Sequence, residues 1–294
     1  MSNCIVCGRE SCPMDHGKWL EITFKDTKPF NINEDVEGLY LNSIEKIEPS
    51  GKTDTLQIDG IDGEIFQRAT FGKFSIVTNF IYYGQNSKDL NLFINRLNGM
   101  LNKREPYYIR SFQLPFVMYQ VEPTPKISYE YITLNVHRIK VEFECIKGYG
   151  ESYKQSIDMK KTRGDFTFVE GLDYEDDPKY TNKGGLFYIY NGSQDTINPL
   201  LHHNLTIKMN LDAPKGFEVK NRTTGDHFKY YEPVVKEDTI EIRDIYPMLN
   251  GDEHVGKNTN WEWITLAPGW NKIEFLGNGI SNISSSFIFN FIYV

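Results

Sequence analysis

The chain of 294 residues has no run of about 18 apolar residues, so nothing in it is long enough to cross a bilayer as a helix, and no membrane partner is expected. Its start, MSNCIVCGRE, lacks a basic stretch followed by an apolar core. No secretory leader is therefore expected, and the thiols are expected to stay reduced in a cytoplasm. Cysteine is scarce, at four residues, and a chain this long can bury a core without disulfides. Positive charge is not in excess: the net charge is −8, which argues against general or specific nucleic-acid binding. Internal repeats and low-complexity tracts are absent. So are G-x-S-x-G, H-E-x-x-H and a phosphate-binding loop, and no hydrolase reading finds a motif to stand on.

Aromatic residues are plentiful, with 19 Phe and 18 Tyr, a composition that suits sheets. The clearest sheet signal is the run from Asp54 to Tyr83. Phe74, Ile76, Thr78, Phe80 and Tyr82 alternate with Ser75, Val77, Asn79, Ile81 and Tyr83, which is the period of a strand. Leu90, Phe93, Ile94, Leu97 and Leu101 then recur at helical spacing, with Ser87 placed as N-cap and Pro106 just beyond, predicting a helix over 87–103. Before this core, residues 19–24 and 39–48 read as strands. Asp59-Gly60 and Asp62-Gly63 read as turns, since the further carboxylates of a calcium loop are missing. After the helix, Pro106, Pro115, Pro123 and Pro125 predict short edge strands. Residues 132–145 read as a long strand whose phase changes, with a bulge expected near His137 and an inert core thiol at Cys145.

The first eighteen residues differ from the rest. Cys4, Cys7, Cys12 and His16 form C-x2-C-x4-C-x3-H, three thiols and an imidazole, a full tetrahedral set for zinc. Three of the four cysteines fall within nine positions, and ligation could order an arm too poor in apolar residues to fold alone. Residues 151–185 read as a linker. Glu170, Asp173, Glu175, Asp176 and Asp177 lie in it as adjacent solvated acids, without the separate environments an acid–base pair needs. Residues 186–294 hold strand-like runs at 186–190, 205–211, 217–221, 239–245, 271–276 and 286–294. Asn-Gly, Gly-Asp and Pro-Gly turns separate them, the pattern of an antiparallel sandwich.

Taken in order, several stretches resemble the distal tail protein family of bacteriophages infecting Gram-positive bacteria. They are DGIDG and FGKFSIVTNFIYYG, then PYYIRSFQLPFVMYQV, VEFECIKGYGES, IYNGSQDTINPLL, VKNRTTGDHFKYY, TLAPGWNKIEFLG and a final aromatic strand. The likeness spans roughly 19–294, and the cysteine arm departs from the family pattern. The resemblance implies a mainly β protein. Residues 1–18 are the Cys/His-rich arm, and 19–150 a β-sandwich-like, ring-forming domain with one packed helix. After the linker, 186–294 form a galectin-like β-sandwich. It implies no catalytic residues. It implies a homo-oligomeric ring, usually a hexamer, at the tail tip of the virion, assembled in the host cytoplasm. That ring joins the tail tube protein to the tail-tip (tail-associated) protein and the receptor-binding protein, and DNA passes through unbound.

A carbohydrate-binding module contacting cell-wall glycans is the alternative. Trp261, Trp263 and Trp270 could stack on sugar rings, with Asn258, Asn260 and Asn271 bonding hydroxyls. Packing is the favoured reading of these tryptophans, and spacing two would put Trp261 and Trp263 on one strand face.

Overall fold

The computed structural model describes residues 17–46, 51–159 and 177–294. The candidate zinc ligands Cys4, Cys7, Cys12 and His16 lie outside the described residues, as do Glu170, Asp173, Glu175 and Asp176. The chain divides into two units, Met1–Gly150 and Glu151–Val294.

The strands of the first unit are β1 (Leu20–Thr23), β2 (Phe30–Asn31), β3 (Leu39–Lys46), β4 (Gly51–Leu56), β5 (Ile65–Phe71), β6 (Phe74–Tyr83), β7 (Tyr107–Ser111), β8 (Val117–Val121), β9 (Lys126–Tyr131) and β10 (Val136–Cys145). A helical turn, α1 (Ile32–Asp35), follows β2, and the longer α2 (Ser87–Leu101) follows β6. Antiparallel neighbours run β2-β1-β7-β8-β10-β6-β3, with β9 also on β10, while β4 and β5 pair only with each other. At the centre β6 and β10 pair from Val136↔Tyr83 to Cys145↔Phe74 without a register shift. Their inward residues, among them Phe80, Ile139, Val141 and Phe143, are fully buried.

The expected bulge near His137 is not there. Residues 132–135 form a turn, in which the backbone N–H groups of Ile132 and Thr133 both donate to the Val136 carbonyl at 3.0 Å. Thr133 Oγ1 accepts from the Val136 N–H at 3.1 Å. The apparent phase change marks the end of a hairpin turn, and the strand proper starts at Val136. The prolines fall between short strands, as expected, but only β9 is an edge strand: β7 lies inside the sheet between β1 and β8, and β8 between β7 and β10.

Helix α2 starts one residue later than its cap. Asn86, not Ser87, is the N-cap: its Oδ1 accepts from the N–H groups of Lys88 (2.9 Å) and Asp89 (3.1 Å). Asp89 turns back to accept from the Gln85 N–H (2.9 Å) and the Tyr82 hydroxyl (3.0 Å), tying the helix start to β6. Gly84 makes this possible, because a Cβ there would lie 2.8 Å from Asp89 Oδ2 and from the Tyr82 ring. Leu90, Phe93, Leu97 and Leu101 are buried on the inner stripe, and Phe93 stacks on Tyr82 at 3.9 Å between centroids.

Continuing in chain order, β11 (Gly150–Ser152) runs across the division. The second unit then holds β12 (Thr181–Lys183), β13 (Leu186–Asn191), β14 (Leu205–Asp212), β15 (Phe217–Asn221), β16 (His227–Tyr230), β17 (Ile240–Arg243), β18 (Tyr246–Leu249), β19 (Glu253–His254), β20 (Gly269–Leu276), β21 (Ser281–Phe289) and β22 (Ile292–Tyr293). Apart from β22, they make two antiparallel sheets, β12-β21-β14-β17-β18-β19 and β13-β20-β15-β16. Leu205, Ile207, Met209 and Leu211 point inward from β14, and Phe187 of the small sheet meets Phe287 of the large one at 6.0 Å. This is a two-layer sandwich. Parts of the stretch read as a linker belong to it. Thr181–Lys183 pairs with β21, and Ser156 is fully buried with its hydroxyl donating to the Phe287 carbonyl at 2.8 Å. Asp177 is exposed, beside Lys179.

Candidate functional site

Two surfaces stand out, one on each unit. The first is the β4–β5 hairpin. Its residues are exposed along both strands, apart from half-buried Asp54. Phe66 is 63% exposed, and Leu56, Ile65 and Phe71 are also open. Alternation along β5 puts Ile65, with Leu56 opposite it, on one face of the ribbon and Phe66 on the other. Across the strands Arg68 Nε donates to Asp54 Oδ2 at 2.6 Å, and that guanidinium holds the Asp54 carboxyl below its ordinary value. The tip, residues 57–64, turns on Gly60 and Gly63, both with positive φ, as the two Asp-Gly pairs predict. Among the described residues, no group of three or more His, Cys, Asp or Glu side chains is placed to hold a metal.

The titratable groups inside the first unit are built into packing. Cys145 is fully buried, and burial pushes its thiol up to about 12. His137 is fully buried between Tyr82 and Tyr131, and neither ring nitrogen has a hydrogen-bond partner. Desolvation lowers its pKa, disfavouring the charged imidazolium.

In the second unit the three tryptophans are placed differently from one another. Trp261 and Trp263 lie on the loop leading to β20 rather than on a strand, so spacing two does not put them on one strand face. Trp261 takes a left-handed backbone (φ 58°), is 60% exposed and lies against Gly256, where a Cβ would come within 2.8 Å of the indole. Trp263 is half-buried. Trp270 is on β20 and faces solvent, its ring edge-on to Tyr190 at 5.1 Å.

The asparagines serve the loop. Fully buried Asn271 accepts from the Ala267 N–H (2.9 Å) and donates to the Ala267 (2.7 Å) and Gly269 (3.1 Å) carbonyls. Asn221 donates to the Thr265 carbonyl (2.8 Å) and to Asn271 Oδ1 (3.0 Å), and Asn191 to the Leu266 carbonyl (2.8 Å). Asn260 bridges the loop to β16 through the Lys229 N–H (2.9 Å) and the His227 carbonyl (3.0 Å). The carbonyl of Asn258 accepts from the Tyr231 N–H at 2.9 Å.

The second surface is the outer face of the small sheet. Residues directly opposite across strands share a face. The registers therefore set Tyr190 beside Trp270, Tyr188 beside Lys272, and Leu186, Glu274, Lys220 and His227 in one row. Tyr188 is 52% and Trp270 38% exposed. Sequence reading singled out Trp270 alone. Period-two alternation in residues 186–190 marks Tyr188 as facing opposite to Phe187 and Ile189, but only the register shows which residues of the neighbouring strands join it.

Comparison with known proteins places these features. Residues 21–145 match the family model of the phage tail protein RIFT-related domain. No curated protein matches the chain by sequence. Among solved structures the chain is similar to SPP1 Dit (gp 19.1), described as a paradigm of the hub adsorption apparatus in phages infecting Gram-positive bacteria. The identity is 12%, with a TM-score of 0.66 over 94% of this chain and 99% of that chain. The phage P2 baseplate in its activated conformation with Ca aligns at 10% identity and a TM-score of 0.39, over 92% of this chain and 97% of that one. The resemblance read from the sequence is borne out: residues 21–145 match the phage tail protein RIFT-related domain, and the chain as a whole shares the fold of SPP1 Dit.

Proposed function

We propose that the chain is a structural, non-enzymatic virion protein that forms a ring, most simply a hexamer, at the distal end of a bacteriophage tail. The observation that carries this reading is the phage tail domain of the first unit. The hairpin supports self-assembly on physical grounds. An isolated two-stranded ribbon is marginal in water, and this one leaves Leu56, Ile65, Phe66 and Phe71 exposed. A neighbouring copy would cover them. In this reading the ring joins the tail tube protein to the tail-tip protein and the receptor-binding protein, is assembled in the host cytoplasm, and has a galectin-like sandwich as its second unit. A net charge of −8 suits a wall past which DNA moves without being held.

The donor set Cys4, Cys7, Cys12 and His16 fits one zinc ion per chain: three thiolates and one imidazole complete a tetrahedral site and would give the arm its order. Native mass spectrometry with and without a strong chelator tests both proposals. Six chains carrying six zinc ions is the expected mass. A monomer at micromolar concentration contradicts the self-assembling ring, and a metal-free mass contradicts the zinc site.

A further inference from the structure

We infer that the outer face of the β13-β20-β15-β16 sheet binds an anionic saccharide chain, with Tyr188 and Trp270 as the stacking rings. The inference stands apart from the ring proposal, since it uses only the second unit.

Three observations carry it. First, the two exposed rings stand on paired strands, and one of them is braced. Trp270 is braced edge-on by Tyr190, which is itself 4% exposed, and both lie on paired strands, so little freedom is lost on binding. Second, charge is interleaved with the rings, although Leu186 on the same face is also 55% exposed. Lys272 stands directly beside Tyr188, and Arg222 is joined to the same row because its N–H donates to the Lys272 carbonyl at 2.8 Å. A protein interface keeps charge out of its centre, whereas a sugar needs a ring flank to cover its C–H face and donors beside it for its oxygens. Third, the charge is of the opposite sign to the whole chain. Lys220, Arg222, Lys229 and Lys272 share the face with Glu218, Glu274 and Glu262, the last lying 3.1 Å from His227 of the same row. Glu218 is paired with Lys229, Glu274 with Arg222 and Glu262 with His227. Among the described residues Lys220 and Lys272 have no ion-pair partner. Two unneutralised cations on a chain of net charge −8 are a local excess that a carboxylate- or phosphate-bearing polysaccharide would match.

The test uses the full-length chain and three polymers: polygalacturonate as an anionic polysaccharide, dextran as a neutral one, and polyglutamate as a polyanion without sugar rings. The expected result is binding of polygalacturonate that quenches tryptophan fluorescence and weakens severalfold as salt is raised, with dextran and polyglutamate markedly weaker. Tyr188→Ala and Trp270→Ala should each weaken it about tenfold, the size of one lost ring contact. Lys272→Glu should lower affinity without altering the thermal midpoint, which separates a lost site from a lost fold. Failure to bind polygalacturonate overturns the inference. Equal binding of dextran removes the role of charge, and equal binding of polyglutamate indicates an acidic protein partner instead; either overturns it. Unchanged affinity in a folded Lys272→Glu or Tyr188→Ala chain places the site elsewhere.

Discussion

In the first unit the β4–β5 hairpin stands with Phe66 and Phe71 in solvent, whereas in the second unit the loop at 259–268 is laced to the sandwich by Asn191, Asn221, Asn260 and Asn271. Both are long excursions from a sheet. One carries apolar side chains and little internal bonding beyond its own ladder. The other has its backbone groups satisfied by buried amides of the same unit. An excursion of the first kind gains stability from something outside the chain, and one of the second kind does not. The difference separates a surface left open, which the proposed ring would cover, from one completed within the fold.

Substitutions should break this contrast unequally. The largest effect belongs to the laced loop. Asn271→Ala leaves the half-buried Ala267 N–H and carbonyl without their amide partner and also removes the acceptor of Asn221, and should cost about 2 to 3 kcal/mol. The loss should appear as faster amide exchange throughout Glu151–Val294 with the first unit unchanged. A smaller effect is expected from pH. The folded-state pKa of His137 lies below its ordinary 6.5, so the unfolded chain takes up the proton first. The first unit is therefore at full stability above pH 6.5 and loses stability as the pH falls toward the folded-state pKa. His137→Phe should flatten that part of the stability–pH curve, and a slope unchanged in the variant would assign the acid sensitivity to other groups. Asn86→Ala removes the cap of α2 and should cost about 1 kcal/mol, read from denaturant midpoints. The least effect on the monomer is expected in the hairpin, where Phe66→Ser should change unfolding by no more than about 0.5 kcal/mol, because that ring is 63% exposed.

Much of the framework could be read before the structure. Strict alternation located β6 and β14, and helical spacing located α2 to within its last turn, because each buries one face and the burial dictates the pattern. Asp-Gly pairs located the hairpin tip for the same local reason. The misreadings share a cause as well. Ile132 and Leu134 looked like strand residues, yet they sit in a turn set by Thr133 and the Val136 carbonyl. Short strands such as Tyr246–Leu249 and Thr181–Lys183 exist because neighbours offer an edge, and no local pattern records an edge. The candidate surfaces were less legible. Exposure of the hairpin depends on which strands fail to pair with it. The row of Tyr188, Lys272 and Arg222 draws on three segments spread between residues 188 and 272. Tryptophan spacing alone suggested a common face for Trp261 and Trp263 that the left-handed turn at Trp261 denies.

The most direct test is the sedimentation of the intact chain beside an Ile65→Asp, Phe66→Asp double variant at the same micromolar concentration. The account predicts a closed ring for the intact chain and a monomer with an unchanged unfolding midpoint for the variant. A variant that still forms the ring would contradict the assembly role given to the hairpin, and an intact chain that sediments as a monomer would contradict the ring itself.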